Sequence, residues 1–282
     1  MIHWIEILST NSEALKKYAE QYSIHPYILS DCIKKDLRPK IEDYESHQYL
    51  VWFMYLQGQM YEMQFVIIGD TLILITHGMP VGIKSWKDHF NIDLNQKNIW
   101  HLVHQILDKS THATWNELQI LFSKIETFEE KIFKSKSDPQ MILNIKKKLV
   151  KLDYPMGHLT SVVRQMQNLC KPKDDLNWKL RDLHDHCERI SRGITQYRAQ
   201  VVTAIELFWG YQAQRTNKHI KKLSLLASVT VPLTFWTSFW GMNFTAIPFD
   251  NKNLFAGAIL VMVASIGLAF WILKSRGYWS DE

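Results

Sequence analysis

Two long uncharged runs near the C-terminal end restrict this chain more than any other feature. "LSLLASVTVPLTFWTSFWGMN", Leu223 to Asn243, and "LFAGAILVMVASIGLAFWIL", Leu254 to Leu273, hold no ionisable side chain. Each is close to the roughly 20 apolar residues that an α-helix needs to cross a bilayer. A buried hairpin in a soluble core passes the same length test, but two such runs joined by one short loop favour membrane spans. Arg215, Lys218, Lys221 and Lys222 precede the first run and Lys274 and Arg276 follow the second, while the loop sets Lys252 against Asp250. The positive-inside tendency then predicts an integral inner or plasma membrane protein with two spans and both termini cytoplasmic. Trp236, Trp240, Trp271 and Trp279 suit the interfacial belts.

The average composition hides this segregation. Of 282 residues, 46% are hydrophobic and 22% charged, which alone reads as a soluble protein. A net charge of +5, with no basic block interleaved with stacking aromatics, argues against nucleic acid as a partner. Cys32, Cys170 and Cys187 are scattered and odd in number, which is no disulfide framework and suits a reducing cytosol. The start, "MIHWIEILST", lacks a basic-then-apolar pattern, so no cleaved export signal is expected. No nucleophile–base arrangement or phosphate-cradling glycine loop is visible, so an enzyme is not expected. The sequon Asn243-Phe244-Thr245 abuts the membrane boundary, where a glycan has little room, and is read as a chance match.

Residues 1–92 read as a cytosolic α/β domain with a largely antiparallel sheet. "MIHWIEILS", "RPKIEDYE", "QYLVWFMYLQ", "YEMQFVIIG" and "TLILITHG" are strand-like, with Gly69-Asp70 as a hairpin turn. "NSEALKKYAEQY" reads as a helix capped by Ser9 or Thr10, and "HPYILSDCIKK" as a second short one. Residues 93–172 show apolar spacings of three and four on either side of "KSKSDPQ", a helical hairpin region in which Pro155 is a candidate kink. Residues 173–243 then form a stalk helix that includes the first span, about 223–243. Gly193 and Gly210 weaken this helix without having to break it. If continuous it is about 65 residues, or on the order of 100 Å long. One helix would then run from a cytosolic domain into the bilayer, which favours signalling over simple anchorage. Residues 244–253 are the outer loop, 254–273 the second span and 274–282 a cytosolic tail.

Along the first span, Asn217, Ile220, Ser224, Ala227, Val231, Thr234 and Ser238 follow one another at alternating spacings of three and four. They are small, hydroxylated or mid-sized, while Phe235, Trp236, Phe239 and Trp240 lie off this face. Close helix packing and the lining of a pore both require such a stripe, and the spacing leaves the two open. Asn243 falls at the outer mouth of the same axis. Its amide can hydrogen-bond the waters that Mg²⁺ holds tightly without stripping them, whereas a ring of Asp would slow the ion's departure. Gly241 permits a close backbone approach beside it.

These residues resemble a known family. "VPLTFWTSFWGMNFTAIP" is similar to the signature of the CorA magnesium transporters, and "ILSDCIKKDLRPKIEDYE" and "RDLHDHCERI" resemble segments of their N-domain and long pore helix. The resemblance implies a funnel-shaped homopentamer in the lipid bilayer, whose five first-span helices line a pore for passive uptake of divalent cations. Asn217, Ile220, Leu223, Val231, Thr234 and Ser238 would face the pore, with Ile220, Leu223 and Val231 as hydrophobic constriction and Gly241, Met242 and Asn243 as selectivity filter. Mg²⁺ would be cargo and also a regulatory ligand between protomers. Asp31 and Asp182 match the regulatory acids, and Asp108 lies where paired acids are frequent. Departures accompany the match: Ile247-Pro248-Phe249-Asp250 replaces a loop motif with an acid, leaving Asp250 as substitute. Ser30 and Lys109 stand where second acids are common, and basic helices replace acidic ones, which predicts weaker or altered Mg²⁺ sensing.

The stretch His184-Asp185-His186-Cys187 invites zinc, but on one helix His184 and Cys187 share a face that excludes His186, so a single chain is expected to offer two ligands at most. A ZntB-like zinc transporter of the same fold remains the alternative cargo reading, with Co²⁺ or Ni²⁺ also able to pass. A non-conducting membrane receptor or scaffold is the remote alternative, and it gives no reason for the stripe.

Overall fold

The computed structural model describes residues 2–34, 38–44, 46–134, 137–170, 175–242 and 252–275. Among these the elements run β1 (His3–Leu8), α1 (Ser12–Gln21), α2 (Pro26–Ile33), β2 (Lys40–Tyr44), β3 (His47–Leu56), β4 (Gln59–Ile68), β5 (Thr71–Thr76), α3 (Trp86–His89), α4 (Ile99–Ile132), α5 (Pro139–Cys170), α6 (Asp175–Trp240) and α7 (Lys252–Ser275). They divide into two compact units, residues 1–207 and 208–282.

In the first unit the strands form one sheet in the order β1-β5-β4-β3-β2. Only β1 pairs in parallel, His3 opposite Thr71; the other ladders are antiparallel. The β3–β4 hairpin turns at Gln57 and Gly58, both in the left-handed region at φ 50° and 75°. The Glu117 carboxylate of α4 accepts from both their amides, at 3.0 and 3.3 Å. A helix side chain thereby supports a turn whose first residue is not the usual Asn or Gly.

Residues of β3 alternate between two covered faces, which is why the strand is apolar nearly throughout. On one face the Trp52 indole donates to Ser110 Oγ of α4 at 2.9 Å. On the other, His47 Nε2 lies 3.1 Å from the Tyr22 carbonyl that ends α1, and the Tyr49 hydroxyl donates to Gln64. Cys32 of α2 is buried beside Tyr49, and that burial pushes its thiol up to about 12.

The first helix is capped by Asn11, whose side chain accepts from the Ala14 amide. The expected caps Ser9 and Thr10 are therefore corrected. Ser9 instead extends the β1–β5 ladder through its amide to Thr76, and its hydroxyl bonds His77 Nδ1 at 2.7 Å. Buried positions on α6 recur at Leu176, Leu180, Leu183, Cys187, Ile190, Ile194, Tyr197, Val201, Ala204 and Phe208. This unbroken spacing of four and three is a packing seam. Gly193 and Gly210 fall within the 66-residue helix without ending it.

The second unit holds the end of α6 and α7. Both helices are long and apolar enough to cross a membrane, and none of the residues in their most apolar windows is buried. Within this chain they are therefore not the helices of a buried core. The two meet through one face each. The Trp236 indole donates to Ser265 Oγ at 3.2 Å, and the half-covered residues of α7 are Leu254, Ala258, Met262, Ser265, Ile266, Ala269 and Leu273, a seam that includes the small Ala258, Ser265 and Ala269.

Candidate ion pathway and carboxylate sites

Leu225, Val229, Pro232, Trp236 and Trp240 of α6 are half-covered, on the side where Trp236 meets Ser265 of α7, and most of the small-residue stripe lies off that side. Asn217, Ile220, Leu223, Ala227, Val231, Thr234 and Ser238 are exposed, and Ser224 is half-covered at the edge. Val231, Thr234, Ser238 and Met242 share a shallow groove with Thr230, Phe235 and Phe239. The groove is thus wider than the stripe, taking in two aromatics that the spacing placed off it. Three threonine hydroxyls along this segment bond within the helix: Thr230 donates to Leu226 O at 2.7 Å, Thr234 to Thr230 O at 2.9 Å and Thr237 to Leu233 O at 2.9 Å. A helix that crosses lipid would have to answer its polar groups internally, as these bonds would.

Gly241 follows the last helical residue, and its amide donates to Thr237 O at 3.0 Å. It is not among the glycines with positive φ, so a left-handed helix stop is not its purpose. A Cβ there would come within 3.1 Å of the Thr237 carbonyl oxygen, which its own hydrogen bond holds in place. Asn243 and Asp250 lie outside the described residues.

In the first unit Asp31, on α2, is not a bare carboxylate. Lys40 Nζ of β2 donates to Asp31 Oδ2 at 2.7 Å and to Glu42 Oε2 at 2.9 Å, and Lys34 Nζ reaches Asp31 Oδ1 at 3.4 Å. Burial alone would push the Asp31 carboxyl up, but the two ammonium groups outweigh it and hold the group below its usual value. The sequence reading missed this neutralisation. Lys40 falls inside the quoted Arg-Pro-Lys stretch, yet only the α2–β2 geometry aims it at Asp31.

Asp108 and Asp182 belong to a second cluster. Helices α4 and α6 run side by side in the same direction, tied by His104 Nε2 to Lys179 O at 3.0 Å and by Gln119 to the Tyr197 hydroxyl at 2.9 Å. This register carries His186 to Asp108, Nδ1 to Oδ1 at 3.3 Å, with His112 Nε2 3.6 Å from the same oxygen. The His112 and His186 rings meet edge to face at 4.7 Å. On its other side, His186 Nε2 is 3.6 Å from Asp182 Oδ1. The expectation that one chain offers two metal ligands at most is corrected, because α4 supplies the partners that α6 lacks: Asp108, His112 and His186 converge. Cys187 has no part in it, being buried, with a thiol that burial pushes up to about 12. Lys109 points away from Asp108, donating to the carbonyls of Phe90 and Asn91. The signal for this cluster was present in the sequence as His104, Asp108 and His112, four apart on one face of α4.

The family model described as "CorA-like Mg2+ transporter protein" matches residues 1–275. The chain belongs to this family. Among CorA relatives, the cobalt/magnesium transport protein CorA of Thermotoga maritima is 21% identical over 260 residues, 87% of this chain and 74% of that protein. The zinc transport protein ZntB of Yersinia pseudotuberculosis is 27% identical over 222 residues, 75% of this chain and 66% of that protein. In fold, the complete CorA magnesium transporter of Methanocaldococcus jannaschii superposes with a TM-score of 0.82 at 19% identity, covering 98% of this chain and 90% of that one. The chain is therefore a CorA-family divalent cation transporter with a CorA-like fold. The family is one of transporters and not of enzymes.

Proposed function

We propose that this CorA-family transporter conducts Mg²⁺ into the cytoplasm through a homopentameric pore lined by five copies of α6, with both termini cytoplasmic. The supporting observation is the exposed α6 stripe, which packing against α7 leaves for further copies to cover. Ile220, Leu223 and Val231 form the hydrophobic constriction. Thr234, whose proton is committed to Thr230 O, turns its lone pairs to the pore, where the outward-facing hydrogens of a hydrated cation need acceptors. Asn217, Ser224, Ala227 and Ser238 complete the lining. Gly241, Met242 and Asn243 form the filter, Gly241 holding the close helix end and Asn243 presenting a neutral amide that binds hydration waters without removing them. Asp250 supplies the loop's negative charge near the mouth.

Mg²⁺ as regulatory ligand acts at Asp31 and Asp182 across protomers, with Asp108 nearby. At Asp31 the fit is poor, because Lys40 and Lys34 already engage both carboxylate oxygens. Sensing through this residue is accordingly weaker than two bare acids would give.

Mg²⁺ uptake into liposomes holding the wild-type or the Asn243→Ala protein tests the filter. Loss of flux or of selectivity in the variant is expected, and equal flux with equal selectivity would refute the assignment. Competition by Zn²⁺ and Co²⁺ in the same assay distinguishes the ZntB-like reading, which predicts that Zn²⁺ outcompetes Mg²⁺. No flux from either protein would favour a non-conducting scaffold.

A further inference from the structure

We infer that Asp108, His112 and His186 form a transition-metal site within one chain, selective for a borderline divalent cation such as Zn²⁺ or Co²⁺ over Mg²⁺. It goes beyond the transport reading and does not depend on it. A tetrahedral ion with N and O ligands at about 2.0–2.2 Å places them roughly 3.3–3.6 Å apart. Two edges already match: Asp108 Oδ1 is 3.3 Å from His186 Nδ1 and 3.6 Å from His112 Nε2. All three ligand atoms lie within 4.8 Å of one another. The remaining edge closes by rotation of His112, whose side chain is 51% exposed. His186, 18% exposed, is the anchored member.

Asp182 stands behind the His186 ring. Its Oδ1 is 3.6 Å from His186 Nε2, on the side of the ring away from Asp108. Without an ion, Nδ1 bonds the Asp108 carboxylate at 3.3 Å; an ion at Nδ1 would move the ring hydrogen to Nε2, the side that Asp182 faces. A carboxylate behind a ligating imidazole fixes the tautomer and raises the basicity of the ligand. Asp182 is a positioning residue here, and the fourth position on the ion is left for water.

Donor chemistry sets the class of cation. Two imidazole nitrogens suit Zn²⁺, Co²⁺ or Ni²⁺, whereas Mg²⁺ takes oxygen ligands in octahedral geometry and dehydrates reluctantly. Neighbouring basic groups do not occupy the site: Lys109 bonds the Phe90 and Asn91 carbonyls, and Arg189 lies over the Trp115 ring. Among the described residues a second histidine–acid group, His184, Asp185 and Glu188, comes from one helix, and Arg192 already pairs with Glu188 at 2.6 Å.

The test uses the purified full-length protein in detergent, titrated with Co²⁺ and then Zn²⁺ under excess Mg²⁺. The wild-type should bind Co²⁺ with the intense visible absorption of a tetrahedral ion, and Zn²⁺ should displace it. His112→Gln and His186→Gln should each abolish that band; His112 lies half in solvent, so circular dichroism of His112→Gln should stay native. Asp182→Asn should weaken Zn²⁺ binding about 10- to 100-fold, the usual effect of removing a carboxylate behind a ligating histidine. Absence of the band in the wild-type, its survival in the two histidine variants, or its loss in His186→Gln alone would each overturn the assignment. Liposome Mg²⁺ uptake measured in parallel separates the two readings. Failed uptake with intact Co²⁺ binding removes the transport proposal only, and the reverse removes the metal site only.

Discussion

Lys40→Met should make cytosolic Mg²⁺ sensing sharper, not weaker. The Lys40 ammonium sits 2.7 Å from Asp31 and 2.9 Å from Glu42. The Lys40 side chain is 16% exposed and that of Asp31 22%, so the pair is screened less than a surface contact. A hydrogen bond to a charged group in such a setting is worth about 1.5–3 kcal/mol. Lys34 would recover little of it, since its 60% exposed ammonium stands 3.4 Å away in an i,i+3 pair, a geometry worth less than about 1 kcal/mol. A cation that displaces Lys40 therefore forfeits about 1.5 kcal/mol, close to tenfold in affinity. Met keeps the length of the stem without the charge, and Glu42 retains the Tyr44 hydroxyl at 2.8 Å. Limited proteolysis of the full-length protein over a Mg²⁺ series reads the effect. The protective concentration should fall about tenfold in Lys40→Met and change little in Lys34→Met. An unchanged or raised midpoint in Lys40→Met would refute the argument that the lysine competes with Mg²⁺ for Asp31.

The same pair has a pH signature. The folded Asp31 carboxyl lies below its ordinary 3.8, so its contribution is complete above that value and disappears as pH falls through the lowered one. For Lys40, burial pulls the ammonium down but Asp31 and Glu42 outweigh it and raise the group above 10.5, so its contribution is complete below that value and is lost as pH rises through the raised one. The stability difference between wild-type and Lys40→Met should be flat across neutral pH and vanish at both extremes; a difference that changes between pH 6 and 8 would contradict it. Ser110→Ala leaves the buried Trp52 indole without its acceptor and should cost about 1–3 kcal/mol in chemical denaturation. Gly241→Ala forces a Cβ to within 3.1 Å of Thr237 O; it should lower Mg²⁺ uptake while leaving the thermal midpoint of the first unit unchanged.

What the sequence made legible follows from which forces act locally. The long α6 could be read because its seam repeats every three or four residues and two interior glycines cost only about 1 kcal/mol each. The spans could be read because lipid imposes length and the absence of charge on a single segment. The exchange of caps from Ser9 to Asn11 could not, because it is decided by His77 and Thr76, which are distant in sequence and reach Ser9 from the end of the neighbouring strand β5. Asp31 was legible as an acid but not as a neutralised one, since its partner arrives from β2. The histidine cluster shows the same limit most clearly. His104, Asp108 and His112 mark a polar stripe on α4, and His186 marks one on α6, yet each helix alone has too few ligands. They meet because His104 to Lys179 and Gln119 to Tyr197 fix the register between the two helices. None of those four residues is itself a candidate ligand of the cluster, so a one-turn slip of about 5.4 Å would separate His186 from Asp108 and leave the local sequence of both helices as it is. The cluster therefore belongs to helix packing, and a substitution that shifts that register should abolish Zn²⁺ binding without touching a single ligand.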